Sequence, residues 1–221
     1  MKHPLPKMQK KLFILPFLLL VGLSLSAQIK FGLGLGTSTT EVAPSDLVIT
    51  NQSGAQDLIM KLESANYGLH GGIAIRIPIK KIFIQPEIFF NSNSVDFRVQ
   101  DFTHGVMTEK VFRESYQNLD IPLLLGFKLG PLRLQAGPVG HLFLNCQSEL
   151  DEIEGYEKHF ESLTYGWQAG AGLDIWKLYL DVNYEGNFSR FGDHINLFGQ
   201  PFAFDERPTR IVATLGFFFG K

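Results

Sequence analysis

Past residue 27 the chain alternates between apolar and polar side chains almost wherever it is not turning, which is how strands with two chemically distinct faces read. The clearest stretch is 116–138, YQNLDIPLLLGFKLGPLRLQAGP. Leu119, Ile121, Leu123, Leu125, Phe127 and Leu129 fall on one side, and Asn118, Asp120, Leu124, Gly126 and Lys128 on the other. After a tight Gly130-Pro131 turn, Leu132, Leu134, Ala136, Leu142 and Leu144 continue the oily face, with Arg133, Gln135, Gly137, His141 and Asn145 opposite. This predicts a β-hairpin.

Six further segments alternate in the same way. In 28–37, Ile29, Phe31, Leu33 and Leu35 oppose Lys30, Gly32, Gly34 and Gly36; in 65–77, Leu69, Ile73, Ile75 and Ile77 oppose His70, Gly72, Ala74 and Arg76. In 82–91, Ile82, Ile84, Ile88 and Phe90 oppose Phe83, Gln85, Glu87 and Asn91. The segments 163–175, 178–188 and 209–219 complete the set, and their polar faces carry Asp174, Asp181, Glu185 and Arg210. Short turns are expected at 78–81, 130–131 and 176–177, and long polar loops at 38–64, 92–113, 146–162 and 190–207. The glycines of 32–36 are not spaced as GxGxxG and no helical pattern follows them, so they read as residues making room in a narrow interior.

Eight strands joined alternately by short turns and long loops predict an all-β fold, an eight-stranded antiparallel up-and-down transmembrane β-barrel with short periplasmic turns and long outer loops. A soluble lipocalin-like ligand-binding barrel is the structural rival. Face chemistry argues against it, because the strand charges share a face with the glycines, and that face must be the cramped interior.

The first residues place the barrel in the cell. Lys2, Lys7, Lys10 and Lys11 precede an apolar run over 12–25 that is interrupted by Pro16, and small residues follow. This predicts a secretory signal peptide over 1–27 and a single barrel domain over 28–221, located in the cell outer membrane. The run is shorter than the roughly 20 residues a membrane-spanning helix needs. Four of the 20 basic residues lie in the leader, leaving 16 against 22 acidic ones, a net charge near −6 that argues against nucleic acid as a partner. Cys146 is the only cysteine, so no internal disulfide can form.

The inward face holds Lys30, Arg76, Lys128, Arg133 and Arg210 against Glu87, Asp120, Asp174, Asp181 and Glu185. Enclosed charges must be paired, which predicts a structural ion-pair network in the lumen. Depth counted from the short turns predicts that Arg76 and Arg133 pair with the group formed by Glu87, Asp120, Asp174 and Asp181, and that Arg210 pairs with Glu185. A barrel of eight strands is only wide enough for its own side chains, so no open pore is expected. A proton or ion path through these charges is the sharper alternative.

Catalysis needs a nucleophile, a base and an orienting acid converging on one place. His70 and His141 both point inward, yet neither strand offers an inward serine, and no third ligand has metal-site spacing. His104, His159 and His194 fall in expected loops. No catalytic residue, metal or cofactor is expected.

YQNLDIPLLLGFKLG, LQAGPVGHLF just after the turn and GWQAGAGLDI in the sixth strand resemble the PorT-like outer-membrane β-barrel domain family. The resemblance implies the barrel fold and a structural or accessory role in envelope transport or protein secretion, exerted through the outer loops. The expected partners are outer-membrane lipid and secretion or envelope proteins, with the barrel a monomer. A lipid-modifying outer-membrane enzyme is the functional rival.

Overall fold

The computed structural model describes residues 29–41, 47–50, 56–102, 106–152, 156–158, 162–188, 195–197, 200–202 and 209–219. The expected signal peptide lies outside the described residues, as do His104, His159 and His194.

The chain forms β1 (Lys30–Glu41), β2 (Leu47–Thr50), β3 (Gln56–Ala65), β4 (Gly68–Ile79), β5 (Ile82–Asp101), β6 (Thr108–Leu129) and β7 (Leu132–Ser148). A 3-10 turn at Glu149–Glu152 leads to β8 (Tyr156–Lys158), and β9 (Leu163–Ile175), β10 (Leu178–Asn187), β11 (Ile195–Leu197), β12 (Gln200–Phe202) and β13 (Thr209–Phe219) follow. Eight of these close a ring of antiparallel neighbours in the order β1, β4, β5, β6, β7, β9, β10, β13, with β13 returning to pair with β1 from Phe31↔Phe219 to Glu41↔Thr209. The fold is an eight-stranded antiparallel up-and-down β-barrel. Closure leaves none of these eight strands as a sheet edge along the ring.

Three hairpins turn at one end through Lys80-Lys81, Gly130-Pro131 and Trp176-Lys177. In each, the first turn residue is left-handed: Lys80 at φ 58°, Gly130 at 69° and Trp176 at 60°. That backbone suits the twist of a two-residue hairpin. Gly130 adopts it freely, while Lys80 and Trp176 hold it against a steric cost of about 1–2 kcal/mol.

Around the ring the period of two sorts the faces. Leu33, Leu35, Leu69, Leu123, Leu125, Leu180 and Leu215 point outward and are exposed, while Gln85, Arg133, Gln135, Asp181, Asn183 and Glu185 point inward and are buried. No soluble barrel could leave such an apolar belt in water, and the belt is what a hydrocarbon surround requires. Exposed Tyr165, Trp167 and Tyr184 lie toward one rim, and exposed Trp176 and Phe219 with half-buried Phe217 toward the other. They stand where the aromatic girdles of a membrane barrel stand.

The structure differs from the sequence reading in the long connections, two of which, 38–64 and 92–113, are strand over most of their described residues. β5 and β6 run 20 and 22 residues and pair along their whole length, Asp101↔Thr108 at the top, so the expected 92–113 loop is a hairpin. The expected 38–64 loop contains the end of β1, all of β2 and most of β3, with β3 taking over from β4 as the partner of β5 above Ser92. β8 from one outer connection and β11 and β12 from another form a separate three-stranded sheet.

The alternation was present in this outer part with its sense reversed. Val95, Phe97, Val99 and Phe112 are buried, while Arg98, Lys110 and Arg113 on the other face are exposed or half-buried. An apolar face turned inward and a charged face turned outward suit a water surround instead of lipid. β7 carries a further departure: a bulge opposite Gln117 and Asn118 switches the facing, so that Cys146 is buried and Asn145, expected inside, is exposed.

Candidate functional site

Among the described residues the lumen gathers most of the buried polar side chains, and they fill it. At the short-turn end Phe83, Tyr179 and Phe218 are buried inside the barrel. They fit because glycines face them. A Cβ on Gly126 would lie 2.0 Å from Phe83 Cζ, and one on Gly216 would lie 2.2 Å from the Tyr179 ring. The Arg76 guanidinium carbon sits above this aromatic floor, 4.3 Å from the Phe218 centroid and 5.0 Å from that of Phe83.

Arg76 and Arg133 share one carboxylate. Arg76 Nη1 donates to both oxygens of Asp174 at 2.9 Å, and Arg133 Nε donates to Asp174 Oδ1 at 2.8 Å. Arg133 also donates through Nη2 to Asp181 at 2.7 Å and through Nη1 to Gln135 at 2.9 Å, and Gln135 donates on to Asn183 at 3.0 Å. Arg76 Nε donates to Gln85, whose amide donates to Glu87. Lys128 Nζ lies 3.6 Å from Asp174.

A second cluster lies deeper, around Arg210. Its guanidinium donates to Glu185 and, at 2.6 Å, to Asp120. His141 Nδ1 is 2.7 Å from Asp120 and its Nε2 is 3.5 Å from Glu185, which also accepts from Gln168. His70 Nε2 lies within 2.8 Å of Thr214 Oγ1. The far nitrogen of His141 therefore faces a carboxylate, and among the described residues no hydroxyl or thiol is hydrogen-bonded to it.

The third polar group lies at the outer end, where Tyr116 donates to the buried Glu114 at 2.6 Å and the Cys146 thiol donates to it at 3.3 Å. On the outside of the same hairpin Arg113 donates to Asp96 at 2.8 Å, and the carboxylate beside it holds the guanidinium above its ordinary pKa.

Of the ten residues expected in the lumen, Arg76, Lys128, Arg133, Asp174 and Asp181 form the first cluster, and Asp120, Glu185 and Arg210 form the second. Two assignments require correction. Asp120 is bound by Arg210 and His141 instead of joining Arg76 and Arg133, and Glu87 reaches Arg76 only through Gln85. Lys30 lines the short-turn mouth, outside both clusters. Gln85, Gln135, Gln168, Asn183 and Thr214 belong to the network without having been singled out; their inward parity was the available signal. Glu114 was assigned to no element, since it falls between the expected 92–113 loop and the hairpin that begins at Tyr116.

Residues 23–191 match the outer membrane protein β-barrel domain family. The chain belongs to that family. It is an outer-membrane β-barrel protein. No curated protein matches the chain.

Proposed function

We propose that this outer-membrane barrel is a closed, monomeric platform that carries a folded β-extension outside the cell, and that the extension serves an accessory role in envelope transport or protein secretion. Strand length carries the reading. A tilted strand crosses a bilayer in about 9–11 residues, whereas β5 and β6 have 20 and 22. Roughly ten residues of each, on the order of 30 Å of strand, are thus left for the outer space. The buried Val95, Phe97, Val99 and Phe112 give this part a core of its own, which a merely connecting loop would not need. The lumen, packed with hydrogen-bonded side chains, supports a role that does not pass solutes through the barrel.

The secretion part rests on the resemblance of the central hairpin to PorT-like proteins, and export through a cleaved leader over 1–27 is part of the same reading. The test is a strain in which residues 95–111 are replaced by a short turn. The barrel should still assemble, shown by heat-modifiable gel migration, while secreted-protein or envelope phenotypes match those of the full deletion. A truncated protein that fully complements the deletion would refute the proposal.

A further inference from the structure

At the periplasmic rim a cavity of about 320 Å³ opens between the barrel mouth and the lipid-facing surface. Its wall mixes two kinds of residue. Lys30 and Arg76 come from the lumen side, Trp176 and Lys177 from the hairpin turn, and Leu178 from the outward apolar face. The cavity therefore touches charge on one side and hydrocarbon on the other.

The charge is unbalanced. Lys30, Arg76, Lys128, Arg133 and Lys177 gather here against Asp174 and Asp181, and a cationic surplus remains even with Glu87 counted. Asp174, the carboxylate in the cavity wall, is already engaged by both arginines and approached by Lys128. Arg76 Nη2 is buried and has no hydrogen-bond partner, although the other two guanidinium nitrogens are satisfied. A buried, unused guanidinium donor is rare because it forfeits its hydration without replacement. It marks a place for an acceptor. Trp176 is 83 % exposed beside this cavity, with the Lys177 ammonium 5.8 Å from its ring centroid and Phe217 packed edge-on against it. An aromatic side chain so placed suits the headgroup level of a bilayer.

We propose that this rim cavity binds the headgroup phosphate of an anionic phospholipid from the periplasmic leaflet. Lys30 and Lys177 hold the phosphate, the Arg76 guanidinium adds positive charge in the wall behind them, and the acyl chains run down the surface beside Leu178 and Phe217. A basic residue near a membrane surface adds about fivefold to the association of an anionic lipid, so the site favours such a lipid over a zwitterionic one by more than an order of magnitude.

The test uses the full-length folded protein with Trp167→Phe, which leaves Trp176 as the only tryptophan. It is reconstituted in phosphatidylcholine bilayers doped with a minor fraction of dibrominated phosphatidylglycerol or, separately, dibrominated phosphatidylcholine. Trp176 fluorescence should be quenched by the brominated anionic lipid at about tenfold lower mole fraction or less. Lys30→Gln with Lys177→Gln should abolish that preference, while Lys80→Gln with Lys81→Gln, an equal charge change on the β4–β5 turn at the same end of the barrel, should keep it. Heat-modifiable migration verifies folding of each variant. Equal quenching by the two lipids overturns the proposal, as does loss of the preference in both double variants, which would indicate unspecific surface charge. Inorganic phosphate added to undoped bilayers is the third arm. A change in Trp176 emission with phosphate but no lipid preference would assign the site to a free anion and overturn the lipid source.

Discussion

Arg133→Ala removes the side chain on which the lower lumen converges. Arg133 is fully buried, and its side chain donates to Asp174, Asp181 and Gln135. Asp174 keeps Arg76 and Lys128 after the change. Asp181, with a side chain only 3 % exposed, loses its ion-pair partner among the described residues. Breaking a buried pair from one side costs about 3–5 kcal/mol, most of it the enclosed charge left behind. The lost Gln135 hydrogen bond adds about 1 kcal/mol, at the low end if the amide finds water. The comparison is Arg98→Ala on the outer hairpin, where the Arg98–Glu109 pair at 3.0 Å is more than a third exposed on both sides and is worth about 0–1 kcal/mol. Urea titration of the refolded barrel in lipid vesicles, followed by tryptophan fluorescence and gel mobility, gives both values. A cycle with Asp181→Asn should recover part of the loss, with a coupling of about 1–3 kcal/mol. If Arg133→Ala and Arg98→Ala proved equally harmless, the inward assignment of the charged face would be wrong.

Other expectations follow from the same packing. Gly126→Leu should destabilise the barrel by at least about 1–3 kcal/mol in the same titration, since even its Cβ would overlap Phe83. Phe97→Ala should cost about 3–5 kcal/mol of local stability and expose the outer hairpin to limited proteolysis, while the membrane-embedded ring stays heat-modifiable. Cys146, buried near the outer end of β7, should react with a soluble maleimide far more slowly in the folded protein than in urea. Planar-bilayer recordings of the wild type should show no steady conductance, and sustained channel events would contradict a filled lumen.

The ring of eight strands was legible because burial and lipid impose opposite chemistry on alternate residues, a pattern that from Leu119 to Leu129 is broken on the inward face only by Pro122 and Leu124. The outer extension was not. Val95, Phe97 and Val99 alternate with Asp96, Arg98 and Gln100 as regularly as any barrel strand, but the polar half resembles a solvated loop when the segment is assumed to lie beyond the membrane. The switch in which face is apolar at Ser92 marks the point where the surround changes from lipid to water. The lumen clusters were half legible. Inward parity identified their members, while partner choice depended on reach across the barrel: Arg76 of β4 meets Asp174 of β9, a strand on the other side of the ring. Depth along one strand carries no information about that crossing, so Asp120 was assigned to the wrong arginines. The bulge in β7 was equally silent, since one extra residue changes the facing of Asn145 and Cys146 without changing composition.

The central claim is an inside-out barrel in lipid, and spin-label accessibility along β6 tests it most directly. Nitroxides placed singly from residue 119 to 128 in the vesicle-reconstituted protein are read with molecular oxygen, which concentrates in hydrocarbon, and with a water-soluble nickel complex. The account predicts oxygen maxima at Leu119, Ile121, Leu123, Leu125 and Phe127, and low accessibility to both reagents at Asp120, Leu124 and Gly126. Nickel accessibility at the leucine positions, or oxygen maxima at the other parity, would contradict it.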